Sequence, residues 1–246
     1  MTKSDASSLL SLSIIVMAFN EAATIEGVVD DLDAVARCLG HPFEIVIVDD
    51  GSTDGTAEIA DRLAAELGAV RVVHHETNLG IGDVLASGIK AARNEVFTVF
   101  PADGECPAEI LQQFLPHMQD HDVVLGYIPE RKNAWLSIML SKAERLLLRM
   151  LFGPMPKFQG VFMYRRALLA SMERVSSGRG WMIQMEWILH AQREGSRIIS
   201  VPTQMRPRVS GKSKVTNVRS VVANLRQVLV LYWHLKRHNA SRKESS

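Results

Sequence analysis

The sequence predicts an α/β protein with a doubly wound, mostly parallel central sheet flanked by helices. Three observations carry that expectation. Short apolar runs alternate with segments whose apolar residues recur every three or four positions, the pattern of successive βαβ units. The run Ile45–Val48 is apolar without alternation and enters acid directly at Asp49-Asp50. That is how a strand buried on both faces reads when its C-terminal end meets a ligand edge. With 246 residues, 47% of them apolar, the chain suffices for one large α/β domain or for one domain with an appendage.

Leu12–Phe19 reads as the first strand, ending at Asn20-Glu21. Ile25, Val28, Val29, Leu32, Val35 and Leu39 then give helical spacing over 24–39, with Gly40 as a stop. After the strand through Val48 come Asp49-Asp50-Gly51-Ser52-Thr53-Asp54-Gly55, whose Ser, Thr and Asp cap and whose glycines turn tightly. A helix follows near Thr56–Leu67, closed by Gly68, and Val70–Val73 is a short strand. Asn78-Leu79-Gly80-Ile81-Gly82 turns into a helix over Asp83–Ala92. Val96–Phe100 is the next buried strand and runs into Pro101-Ala102-Asp103-Gly104-Glu105. Pro107 and Glu109 open a helix expected to end before Pro116, and Asp122–Tyr127 is a further strand. The regular alternation stops after Tyr127, where a second functional region is expected.

Charge is close to balanced at +1, yet unevenly placed. From Arg206 to Ser246 there are ten Lys/Arg and one acid, Glu244, which suits an anionic partner. The basic residues there interleave with Val218, Val221, Val222, Leu225, Val228, Leu229, Tyr232 and Trp233. That aliphatic stripe favours an anionic membrane surface over nucleic acid, because it lacks aromatic stacking platforms. Residues 134–152 are similar: Ser137, Ser141, Arg145 and Arg149 form one polar stripe on an otherwise largely apolar helix. This helix either lies in the bilayer interface or packs between the sheet and another element. Cys38 and Cys106 form no CxxC, so no zinc site or disulfide framework is indicated. The polar start Met1–Ser8 does not resemble a signal peptide, and no run of eighteen or more uncharged apolar residues occurs. A cytoplasmic protein, peripheral at the inner face of the membrane, is the expectation.

In a parallel sheet the C-terminal strand ends share one edge, so Glu21, Asp49, Asp50, Asp103 and Glu105 should converge. Like charges gathered there repel unless a cation or polar ligand separates them. Two acids at the second strand end suit a base edge or ribose. Neither GxxxxGK[ST] nor GxGxxG is present to cradle phosphates. Asp103 and Glu105 can aim at one hard cation such as Mg²⁺ or Mn²⁺. Asp54 reads as a turn or cap residue, and Asp49 is open between a turn and a ligand role. His74 and His75 lack metal-ligand spacing and read as loop residues.

The set Phe19-Asn20-Glu21, Val48–Thr56, Asn78-Leu79-Gly80 and Ala102-Asp103-Gly104 resembles a family 2 glycosyltransferase with the GT-A (Rossmann-like) fold. Val201-Pro202-Thr203 and Arg208–Lys214 are similar to the dolichyl- or polyprenyl-phosphate branch. The resemblance implies a GT-A domain over 12–214, preceded by a flexible terminus (1–11). It includes an interfacial segment (131–157) and is followed by an amphipathic helix and basic tail (215–246). Phe19, Glu21, Val48, Asp50, Ala102, Asp103 and Arg131 would bind a nucleoside-diphosphate sugar, with Asp103 and Glu105 at the metal. Arg208 and Lys214 would hold the diphosphate and the acceptor phosphate. The sequence departs from the family at Pro101, which replaces the first acid of the DxD element, with Glu105 placed to compensate. Lys157-Phe158-Gln159 also stand where an acid usually precedes the Gly-Phe segment.

The implied reaction is inverting transfer of a sugar to a polyprenyl phosphate, whose anionic oxygen needs no strong base. A hydroxyl acceptor on a glycan or small metabolite would need one, and Glu186 is the candidate. A third reading, a non-catalytic nucleotide-sugar-binding protein, would treat Pro101 as the mark of a lost metal site.

Overall fold

The computed structural model describes residues 9–129, 148–169 and 182–206, together with 146, 172, 228 and 230–233. Arg131, Arg208 and Lys214, and most of the two amphipathic segments, lie outside these residues. Strands β1 (Leu12–Ala18), β2 (Phe43–Asp49), β3 (Val70–His74), β4 (Val96–Pro101), β5 (Val123–Tyr127), β6 (Phe162–Arg165) and β7 (Ile198–Pro202) form one seven-stranded sheet. Its order is β3-β2-β1-β4-β6-β5-β7. β6 runs antiparallel to β4 and β5, and the other neighbouring pairs are parallel. The expected mostly parallel α/β sheet is therefore observed, with β6 as an antiparallel insertion that the sequence pattern did not reveal.

The helices are α1 (Ile25–Leu39), α2 (Thr56–Glu66), α3 (Ile81–Ala91), α4 (Ile110–Phe114) and α5 (Met182–Arg193). Period-two alternation along β1 sends Ile14 and Val16 to one face and Ile15 to the other, all fully buried. The first face packs on α1, α2 and α4 through Ile25, Val29, Leu63, Leu111 and Phe114. The second packs on α3 and α5 through Val84, Leu85, Ile183, Trp187 and Ile188. Helices on both faces explain why these strands are apolar without alternation.

Some boundaries differ from the expectation. The chain does not stop being helical before Pro116. It tightens into a 3₁₀ helix, Leu115–Gln119, with the proline near its start, where a missing N–H costs little. His74 closes β3 rather than lying in a loop. Leu10 and Ser11, expected within a flexible terminus, are tied down. The Leu10 carbonyl meets His41 Nδ1 at 2.9 Å, and Ser11 Oγ accepts the Glu95 N–H at 3.1 Å. Among the described residues no helix is long and apolar enough to cross a membrane.

Candidate active site

The chain leaves β1 toward β2 and β3 on one side, then crosses back to β4 on the other. The point where strand order reverses, between β1 and β4, opens a crevice at the C-terminal edge, where α/β sheets bind ligands. Hydrogen bonds fix the three strand ends in register there. Asp50 N–H donates to the Ala18 carbonyl and Ala102 N–H to the Met17 carbonyl, both at 2.9 Å.

Side chains then tie the loops together. Asn20, in the left-handed region at φ 56°, accepts the Thr53 N–H on Oδ1 at 2.8 Å and donates its own N–H to Ser52 Oγ at 2.9 Å. Asn tolerates that conformation because its short amide bonds locally. Thr56 Oγ1 accepts the Glu21 N–H, and Asp54 accepts the N–H groups of Ala22 and Thr56. What burial Asp54 has raises its pKa, but the Thr56 hydroxyl, which also donates to it, and these N–H groups outweigh burial and hold the carboxyl below its ordinary value. Asp54 thus ties the β1 and β2 loops to one another as well as capping its turn.

The acids at the end of β2 meet their partners inside the protein. Asp49 and Asp50 are 2% and 3% exposed. Asp49 accepts the Ser52 N–H and faces His74 Nδ1 at 3.2 Å. Asp50 accepts the N–H groups of Leu79 and Gly80, each at 2.9 Å, and the His75 Nδ1–H at 2.8 Å. At the end of β2 the two acids are thus partnered by histidines and backbone amides. Sequence reasoning missed both histidines as carboxylate partners. The available signal was register: β2 and β3 are parallel neighbours with Asp49 opposite His74, so the His pair matches the Asp pair.

Asp103 follows β4 by two residues and is half-buried, as is Glu105. Asp103 Oδ1 accepts the Glu105 N–H at 3.0 Å, closing the turn. The chain after β7 returns over this loop: Glu105 O accepts the Arg206 N–H at 2.8 Å, and Cys106 Sγ lies 3.8 Å from Met205 Sδ. The Arg206 guanidinium reaches Asp31 on α1 at 3.3 Å and Glu109 at 3.2 Å. Arg206, also missed by sequence reasoning, thus anchors the base of the segment that leads to Arg208. Burial pushes the Cys106 thiol up, and the charges of Asp103 and Glu105 add to the shift.

Of the other expected donor residues, Phe19 and Glu21 are half-buried at the edge, while Val48 and Ala102 are buried. Glu186 is 4% exposed on α5, and its helix neighbours Met185 and Trp187 belong to two different apolar clusters. The structure thus brings together Phe19, Glu21, Asp50, Ala102, Asp103 and Glu105 at one edge.

The sequence pattern of Glycosyl transferase family 2 matches residues 13–173, from the second residue of β1 to beyond β6. The chain is 28% identical over 239 residues to Glycosyltransferase AglD of Haloferax volcanii, covering 92% of this chain and 38% of that protein. It is 26% identical over 219 residues to Dolichol-phosphate mannosyltransferase of Pyrococcus furiosus, covering 84% and 59% respectively. It therefore spans less than two thirds of either relative. Its fold matches glucosyl-3-phosphoglycerate synthase from Mycobacterium tuberculosis, solved with Mn²⁺, uridine-diphosphate and phosphoglyceric acid. There the TM-score is 0.65 at 21% identity, over 90% of this chain and 77% of that one. With its mostly parallel sheet, its strand-end acids and more than half its length inside the matched pattern, the chain belongs to Glycosyl transferase family 2 and has the GT-A fold.

Proposed function

We propose that this protein is a glycosyltransferase that moves a sugar from a nucleoside-diphosphate sugar to a polyprenyl phosphate, inverting the anomeric centre with the help of Mg²⁺ or Mn²⁺. The observation that carries the reading is the assembly of Glu21, Asp50, Asp103 and Glu105 at the strand-order reversal. The likeness to a dolichol-phosphate mannosyltransferase supports a lipid-phosphate acceptor.

Asp103 and Glu105 fit a hard cation. Both offer carboxylate oxygens from one turn, and their joint negative field is felt at Cys106. Among the described residues no group of three or more His, Cys, Asp or Glu is placed to hold a metal. That favours a cation shared with the donor's phosphates over a protein-only cage. When bound, it would neutralise charge on the departing diphosphate. In this reading Phe19, Glu21, Val48, Asp50, Ala102 and Arg131 would bind the donor. Arg208 and Lys214 offset charge on the diphosphate and the acceptor phosphate as the glycosidic bond breaks. The acceptor oxygen is already anionic near neutral pH, so the reaction proceeds without Glu186 as base. In the cell the enzyme would work as a peripheral protein on the inner face of the cytoplasmic membrane.

The test is a panel of nucleoside-diphosphate sugars with a polyprenyl phosphate, counting sugar extracted into organic solvent. Metal-dependent transfer is expected, falling about a hundredfold or more in Asp103→Ala. Transfer to water-soluble acceptors alone would sink the lipid-phosphate reading, and an unchanged rate in the variant would remove Asp103 from the mechanism.

A further inference from the structure

We infer that His75 is a positioning residue of the donor site: acting through Asp50, it fixes the loop 76–80 that shapes the nucleoside end. The inference rests on reading the C-terminal edge as the donor site. Three observations carry it.

The first is a buried relay. His75 and Asp50 side chains are 7% and 4% exposed, with His75 Nδ1 2.8 Å from Asp50 Oδ1. Because a carboxylate only accepts, Nδ1 carries the proton. In the neutral ring Nε2 then accepts from the Ser87 hydroxyl on α3, also at 2.8 Å. The ring is held at both nitrogens and cannot turn without breaking a buried bond.

The second is how Asp50 spends its oxygens. A carboxylate has about four acceptor positions. Oδ1 takes His75 and the Leu79 N–H, and Oδ2 takes the Gly80 N–H. At most one position remains for a donor, so the larger task of Asp50 is to hold the loop. Glu76, Thr77, Asn78 and Leu79 are exposed, so side-chain burial does not hold it. Its shape depends on these polar bonds.

The third is the fit of the loop against the neighbouring turn. Gly51 adopts φ +71°, and a Cβ there would lie 2.6 Å from the Thr77 carbonyl carbon and 2.9 Å from Asn78 N. Backbone meets backbone with no spare room. A loop released from Asp50 would move away from the turn that carries Ser52 and Thr53, and the pocket edge would move with it.

The experiment titrates UDP and GDP, with Mn²⁺ and with EDTA, into the full chain and measures donor KM and kcat. His75→Ala should weaken nucleotide binding and raise donor KM roughly ten- to a hundredfold, the loss of a buried bond to a charged group. kcat should stay within about threefold, since the reacting atoms are untouched. His75→Asn, whose amide nitrogen stands where Nδ1 stood, should recover most of the loss. Ser87→Ala, which frees the ring but leaves the Asp50 bond, should weaken binding only a few-fold. A fall in kcat at constant KM would overturn the role, as would His75→Ala binding like the parent. If His75→Ala fails to fold, His75→Asn binding no better than one tenth of the parent overturns it equally, and recovery in that variant supports it. A parent chain that binds neither nucleotide would overturn the donor-site reading and this inference together, whereas normal parent binding with unaffected variants removes only His75.

Discussion

His74 differs from its neighbour in being open to solvent while lying between two acids, Asp49 at 3.2 Å and Asp61 at 3.0 Å. Burial lowers its pKa, but bonding and attraction to Asp61 and Asp49 outweigh that, and the net shift is upward from 6.5. The charged ring is the form that satisfies both carboxylates. A raised folded value means the stabilisation is complete below about pH 6.5 and is lost as pH climbs through that folded value. Asp54 behaves oppositely: its lowered value gives stability above its ordinary 3.8 that is lost as pH falls. Urea midpoints of the parent and His74→Gln should therefore differ more at pH 6 than at pH 9. A gap that does not change with pH would mean that His74 contributes only uncharged contacts.

At the scale of elements, α3 is the piece on which the donor edge depends, because it begins at Ile81, just past the loop that Asp50 holds, and carries Ser87. It sits tight on β1. A Cβ on Gly88 would lie 2.5 Å from Ile15 Cγ2 and within 3.3 Å of two further Ile15 carbons, and Ile15 is fully buried. Alanine would gain about 1 kcal/mol of helix propensity over glycine. Overpacking against a rigid β-branched side chain costs about 1–3 kcal/mol, so strain should win. Gly88→Ala is expected to lower unfolding stability by about 1 kcal/mol and to weaken donor binding as α3 shifts. A variant more stable than its parent in urea would show that the helix can slide freely over β1. The existence of α3 was legible from its apolar spacing, and β1, β2 and β4 from runs buried on both faces. β6 was not. Phe162, Met163 and Tyr164 are all buried between β4 and β5, so a four-residue strand shows no alternation, and nothing local encodes its antiparallel direction.

Across the whole molecule, the convergence of Glu21, Asp50 and Asp103 was legible because parallel strands place their C-terminal ends on one edge. The partners that hold this edge were not, since His75 bonds Asp50 from 25 residues away and Arg206, which crosses the Glu105 loop, reaches Glu109 across 97 residues. The amphipathic segments posed the same difficulty, reading as interfacial with a buried helix as the alternative, and the described residues include both packed and exposed apolar side chains. Leu148, Leu151 and Phe152 pack with Val228 and Leu231 against Met185 and Leu189, and Phe152 meets Tyr232 edge-on at 6.0 Å. Yet Leu146, Met150, Val230 and Trp233 are 51–72% exposed on the same helical stretches. Large apolar side chains left outside a satisfied core, among segments rich in Lys and Arg, suit an anionic bilayer surface. Burying each would contribute about 1.5–3 kcal/mol if fully inserted. Replacing Leu146, Met150, Val230 and Trp233 together by serine should then cut co-sedimentation with phosphatidylglycerol vesicles at least tenfold, even if each inserts only partly. Because these side chains touch solvent, the melting temperature should hold. Equal sedimentation of parent and variant would leave the basic residues alone to explain membrane contact, and no sedimentation of the parent would remove the membrane from the account.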